Sequence, residues 1–80
     1  MKKSLFTPEQ EKLQEVLRQI RLGAGLRQSD LAEKLGQPQS FVSKYESGER
    51  RLDILEIRQI CEAIGISLHE FVQRLEKSLQ

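Results

Sequence analysis

An 80-residue chain with 38% hydrophobic and 31% charged residues has room for one domain around one small core. Its formal net charge of +1 lacks the bulk basicity of a nucleic-acid binder, so any such function has to come from where the charges sit. With no long apolar run and a single cysteine, neither a membrane span, a secretory leader nor an intrachain disulfide is expected, which fits a reducing cytoplasm.

Residues 1–6 carry charge without a pattern and read as a flexible tail, leaving 7–80 as one domain. From there apolar residues recur at three- and four-residue steps and no sustained period-two run appears, so the expected class is all-α. The first helix opens at Thr7, whose hydroxyl caps it, with Pro8 at the first helical position and Gln10 completing a capping box. Leu13, Val16, Leu17 and Ile20 form its apolar stripe, and Gly23 and Gly25 stop it. A second helix runs from about Gln28 to Leu35, with Leu31, Ala32 and Leu35 inward and Gly36 as its end. A third begins near Pro38 or Gln39, carries Phe41, Val42 and Tyr45, and stops at Gly48.

After the loop SGERRL, Asp53 and Glu56 make a capping box for a fourth helix with Ile54, Ile57, Ile60, Cys61 and Ile64 on its stripe. Cys61 therefore reads as a buried thiol rather than a metal or redox group. Gly65 closes that helix, and Ser67 with Glu70 caps a fifth. Its stripe is Leu68, Phe71, Val72, Leu75 and Leu79, first of all core, with the more terminal positions available to cover a dimer partner. His69, the lone histidine, has no role beyond a surface or capping contact. Five short helices around one core is the expected architecture.

The tight break between helices two and three is the informative feature. Two helices joined by a short glycine-containing turn cross steeply and hold the second one proud of the body. Small Ala32 permits the close crossing, Gly36 the sharp turn, and Val42 packs back onto it. Gln39, Ser40, Ser43 and Lys44 are left on the outward face of the third helix, the polar side chains gathered toward its N-terminal end. A helix presented in this way fits a DNA major groove. The plain alternative is a solvated helix face.

LRQSDLAEKLGQPQSFVSKYE, residues 26–46, resembles the helix-turn-helix of the phage repressor and Cro family, also called the xenobiotic-response-element (XRE) family. The likeness extends through Arg21, Gly25, Gly48 and RRLDILEIRQICEAIGISLHEFV, covering roughly residues 9–76. It implies a five-helix repressor-like domain with a recognition helix at about 39–47. Gln39, Ser40 and Lys44 occupy the base-reading positions. Gln28 touches a phosphate while buttressing the first recognition residue, and Arg21 pairs with Glu46. Arg50 and Arg51 lie in the loop that tracks the DNA backbone, with Ser43 and Arg27 added as phosphate contacts. The sequence departs from the family pattern at three places: Arg27 replaces a capping Ser or Thr, Gln37 an apolar turn residue, and Pro38 the capping residue of the third helix.

The function this implies is a sequence-specific regulator, a repressor working as a homodimer on a palindromic site in double-stranded DNA. Val72, Leu75 and Leu79 are the expected dimer contacts, with the fourth helix next. No cofactor, metal, small-molecule ligand or enzymatic activity is expected. With no further module to bind an inducer, control would come from concentration or a partner protein. Two alternatives stay open: an antitoxin or restriction-control protein of the same fold with a protein partner, and a helical adaptor that does not bind DNA.

Overall fold

Thr7 opens the first helix by accepting the Gln10 N–H on its Oγ1 at 3.1 Å, with Pro8 at the first helical position. The computed structural model describes residues 7–80, so the tail expected over 1–6 lies outside the described residues. Only the Thr7 half of the expected capping box is formed among them. Helix α1 (Pro8–Gly23) ends one step later than expected, since Gly23 is still helical and Ala24 is its cap. Gly25, at φ 75°, makes the left-handed turn, and the Leu26 N–H returns to the Arg21 carbonyl at 3.2 Å.

Helix α2 (Gln28–Leu35) stops the same way. Gly36 sits at φ 67°, where a side chain would be strained, and the Gln37 N–H reaches the Ala32 carbonyl at 2.9 Å. Pro38 then supplies an extended residue before α3 (Gln39–Ser47), so two residues of turn separate Gly36 from Gln39. Helix α4 (Ile54–Ile64) has the full Asp53–Glu56 capping box, with bonds of 2.8 and 2.9 Å. In α5 (Leu68–Leu79) the Ser67 hydroxyl accepts the Glu70 N–H at 3.0 Å.

These five helices enclose one core in which Leu17, Leu31, Val42, Tyr45, Ile60, Cys61 and Phe71 are essentially without solvent contact. Helices α2 and α3 pack on each other, α1 supports α3 and α5, and α4 closes against α2 and α5. Ala32 and Val42 are both buried in the shared core, as the crossing requires. Burial pushes the Cys61 thiol and the Tyr45 hydroxyl above their usual pKa ranges.

Two stripes are narrower than the sequence pattern indicates. Ile54 is 57% exposed, because the first residue of α4 precedes the turn that meets the core. Its neighbour Leu55 is exposed as well, at 66%. On α5 only Phe71 is fully buried, and Leu68 and Leu75 are half-buried against the core. Val72, expected in the core, is exposed, as is Leu79. Helix α5 packs against α1 and α4 on one side, and its apolar arc is wider than that contact.

Candidate nucleic-acid interface

The N-terminus of α3 lies at the surface, and its first two residues, Gln39 and Ser40, are exposed. Ser43 and Lys44, one turn on, are exposed too, while Val42 and Tyr45 turn inward. The period of 3.6 therefore separates a polar outer face from an anchored inner one. Lys44 has no ion-pair partner among the described residues, nor does Arg51 in the following loop.

Beneath this face lies a buried ion pair. Arg21 of α1 donates from Nε to Glu46 Oε2 at 2.7 Å and from Nη2 to Oε1 at 3.0 Å. Their side chains are 8% and 4% exposed. Arg21 Nη1 also donates to the Leu26 carbonyl at 2.8 Å, so one guanidinium ties together α1, the α1–α2 joint and α3. The bond to Glu46 raises the Arg21 pKa against the opposing effect of desolvation, which keeps the guanidinium charged. Glu46 Oε1 accepts a further bond, from Gln28 Nε2 at 3.0 Å. Gln28 Oε1 in turn accepts from Gln39 Nε2 at 3.4 Å. A continuous chain of polar contacts thus runs from the buried pair to the first residue of the exposed helix.

The remaining cations are less free than their sequence positions indicate. Arg27 is exposed, but its guanidinium donates to both Asp30 oxygens at 3.1 Å, and its backbone N–H donates to Asp30 Oδ2 at 2.9 Å. The missing Ser or Thr cap is thereby replaced in part from the other side, by the carboxylate in the first turn. The Arg27 guanidinium bond, and then its backbone N–H, hold the Asp30 carboxyl below its usual range. Arg50 is held by Glu56, with Nη2 to Oε2 at 2.9 Å and Nη1 to Oε1 at 3.3 Å. Its guanidinium carbon lies 4.8 Å from the centre of the Phe41 ring, a cation–π contact. Phe41 itself meets Tyr45 edge-on, with ring centres 5.6 Å apart. The Arg50 bond, followed by the Asp53 N–H, keeps Glu56 below its usual range.

Sequence reasoning missed three of these residues. Asp30 was visible as an acidic group in the first turn of α2, where the helix dipole favours it. Glu56 read only as a cap, and Phe41 only as core, because neither pattern announces a partner across a loop. Val72 and Leu79 lie exposed on α5 with Leu75 half-buried between them, and Ile54 and Leu55 make a second exposed apolar patch at the start of α4.

Residues 17–71 match the Helix-turn-helix family model. Among solved structures, the chain is similar to an XRE-family like protein from Pseudomonas syringae pv. tomato. The two are 41% identical with a TM-score of 0.79, over 88% of this chain and 85% of that one. It is also similar to the wild-type restriction-modification controller protein C.Esp1396I, at 28% identity and a TM-score of 0.85. That match covers 92% of this chain and 95% of the other. The same controller protein, solved as a tetramer in complex with its natural 35 base-pair operator, matches with a TM-score of 0.84 at 28% identity over 92% and 97% of the two chains. No curated protein sequence matches the chain.

Proposed function

The chain belongs to the XRE-type helix-turn-helix family, and from that premise we propose that it is a transcriptional repressor binding a palindromic DNA operator as a homodimer. The observation that carries this reading is the exposed polar face of α3, braced from below by the Arg21–Glu46–Gln28–Gln39 chain. Helix α3 enters the major groove with its N-terminus leading, and Gln39, Ser40 and Lys44 meet base edges. A glutamine amide forms a bidentate pair with adenine, donating to N7 and accepting from the N6 amino group. Lys44 has the charge and reach for guanine, and Ser40 makes a short, permissive contact.

Phosphate contacts come from Gln28, Ser43 and Arg51, with Arg27 and Arg50 beside them. Arg27 and Arg50 already hold carboxylates, so each releases less counterion on binding than an unpaired arginine would. Arg51→Ala is therefore expected to weaken all DNA sequences alike and to flatten the log–log salt dependence by about one unit. The same change at Arg27 or Arg50 should flatten it less. Titrations at several salt concentrations check both expectations, and an unchanged slope for Arg51→Ala would remove that residue from the phosphate contacts.

One module reads only a few base pairs. Two of them about 34 Å apart along one face of the duplex give a palindromic site and usable specificity. The exposed apolar positions Val72 and Leu79, with Leu75 between them, supply the dimer contact, and the α4 patch extends it. The site of action is the cytoplasm, where the operator is.

A second reading is favoured by the likeness to C.Esp1396I over nearly the whole chain: a controller of a restriction–modification system, with the same chemistry at the groove. A DNA-free adaptor fits less well, since an adaptor helix would present apolar rather than Gln–Ser–Lys side chains. The experiment is selection of bound sites from random duplexes, followed by Gln39→Ala on single-base variants of the winner. Gln39→Ala should cost about 1–3 kcal/mol on the preferred site and relax preference at one base pair per half-site. Failure to enrich any palindrome overturns the homodimeric regulator, and preferences unchanged by the substitution overturn base reading through Gln39.

A further inference from the structure

We infer that Glu46, whose side chain is buried and cannot reach a base, decides which base Gln39 accepts by setting the direction of two amides in series. This rests on the reading of Gln39 as a base-contacting residue and adds what determines its preference. A glutamine amide is ambiguous on its own: it can turn either its carbonyl or its NH2 toward a partner. A carboxylate is not, because when ionised it only accepts. Both oxygens of Glu46 accept from the Arg21 guanidinium, so the carboxylate is held as an acceptor on each side. The Gln28 amide facing it must therefore present its NH2, and it does, Nε2 to Oε1 at 3.0 Å.

That fixes the other end of Gln28. Its carbonyl points away from Glu46, toward Gln39, and accepts from Gln39 Nε2 at 3.4 Å. One of the two Gln39 amide hydrogens is thereby engaged. The groove is offered one donor and one acceptor side by side, which complements the N7 acceptor and N6 donor of adenine. Guanine shows two acceptors, O6 and N7, and asks for two donors. With one hydrogen held by Gln28, Gln39 has only one to give. Specificity at this base pair is thus set by a charge buried beneath the helix.

The same logic predicts a reversal. In Glu46→Gln the new side chain keeps its carbonyl on Arg21 Nε, the shorter of the two bonds, and turns its NH2 toward Gln28, giving up the bond from Arg21 Nη2 that Oε1 accepts. Gln28 then accepts instead of donating, its own NH2 faces Gln39, and the Gln39 carbonyl is engaged. Both amide hydrogens of Gln39 are left for the groove, the pattern guanine complements. Gln28→Met removes the relay without supplying a new direction, leaving Gln39 free to turn either way.

The test measures binding to two duplexes that differ only in adenine or guanine at the base pair whose preference depends on Gln39. The unaltered protein should prefer adenine by about five- to a hundredfold, the range of a bidentate pair. Gln28→Met should bring the two within about threefold while weakening both through its lost phosphate contact. Glu46→Gln should shift the ratio at least about tenfold toward guanine. Thermal melts show that each variant is folded at the assay temperature, and Gln28→Met, which leaves the ion pair intact, keeps the test open where Glu46→Gln is unstable. An adenine preference that survives Gln28→Met overturns the relay alone. A ratio that Gln39→Ala leaves unchanged overturns the underlying reading of Gln39 and the relay with it.

Discussion

Replacing Arg21 by alanine should lower the free energy of unfolding by about 3–5 kcal/mol, the cost of leaving one member of a buried ion pair without its partner. The magnitude follows from burial. The Glu46 side chain is 4% exposed, so its charge has little water to replace the guanidinium. Arg21→Ala also removes the bond to the Leu26 carbonyl that fastens the α1–α2 joint. A domain of this size has only about 5–15 kcal/mol of stability in all, so the variant should unfold well below the parent midpoint in urea. Removing both charges together, as Arg21→Met with Glu46→Met, should restore much of the loss, because an apolar pair leaves no buried charge behind. A single variant within about 1 kcal/mol of the parent would mean that the pair contributes no more than an exposed one. The double variant has a second use. It should fold and still lose its base preference, which separates what the pair does for the fold from what it does for Gln39.

The skeleton of this molecule was legible because its signals are local. Thr7, Asp53 and Ser67 cap where expected, and Gly36, Gly48 and Gly65 end helices in the left-handed conformation. Each of these depends on a few neighbouring residues and needs no knowledge of the rest of the chain. The Arg21–Glu46 pair spans 25 residues and came from family resemblance; nothing in helical periodicity joins those positions. Arg50 shows the limit more sharply. Its place in a basic loop suggested a phosphate contact, yet Glu56 lies six residues on and Phe41 nine residues back, and both hold it. Charge in a sequence says that a cation is present and not whether it is already engaged. The apolar pattern failed in the opposite sense at Ile54 and Val72, since periodicity marks an apolar face without saying whether the chain's own core or a second copy covers it.

That ambiguity leads to the second large effect. Substituting Val72 by glutamate should weaken binding to a palindromic operator by about a hundred- to ten-thousandfold, the advantage that two linked modules hold over one. Affinity for an isolated half-site should stay close to that of the parent. Val72 is 40% exposed and contributes little to the monomer core, so the melting temperature should barely move. Leu55→Glu is the matched comparison, placing the same charge on the α4 patch at a residue 66% exposed. A charge buried in a self-complementary interface meets its own copy across the two-fold axis, so repulsion adds to desolvation. Sedimentation on the palindrome, at a concentration that saturates it with the parent but leaves an isolated half-site mostly empty, should then show at most one subunit per duplex for Val72→Glu where the parent shows two. If Leu55→Glu gives that result and Val72→Glu does not, the partner is covered by the start of α4 rather than by α5. If both variants remain two to a site with parental affinity, neither apolar patch is the dimer contact, and the pairing of half-sites has to come from elsewhere on the surface.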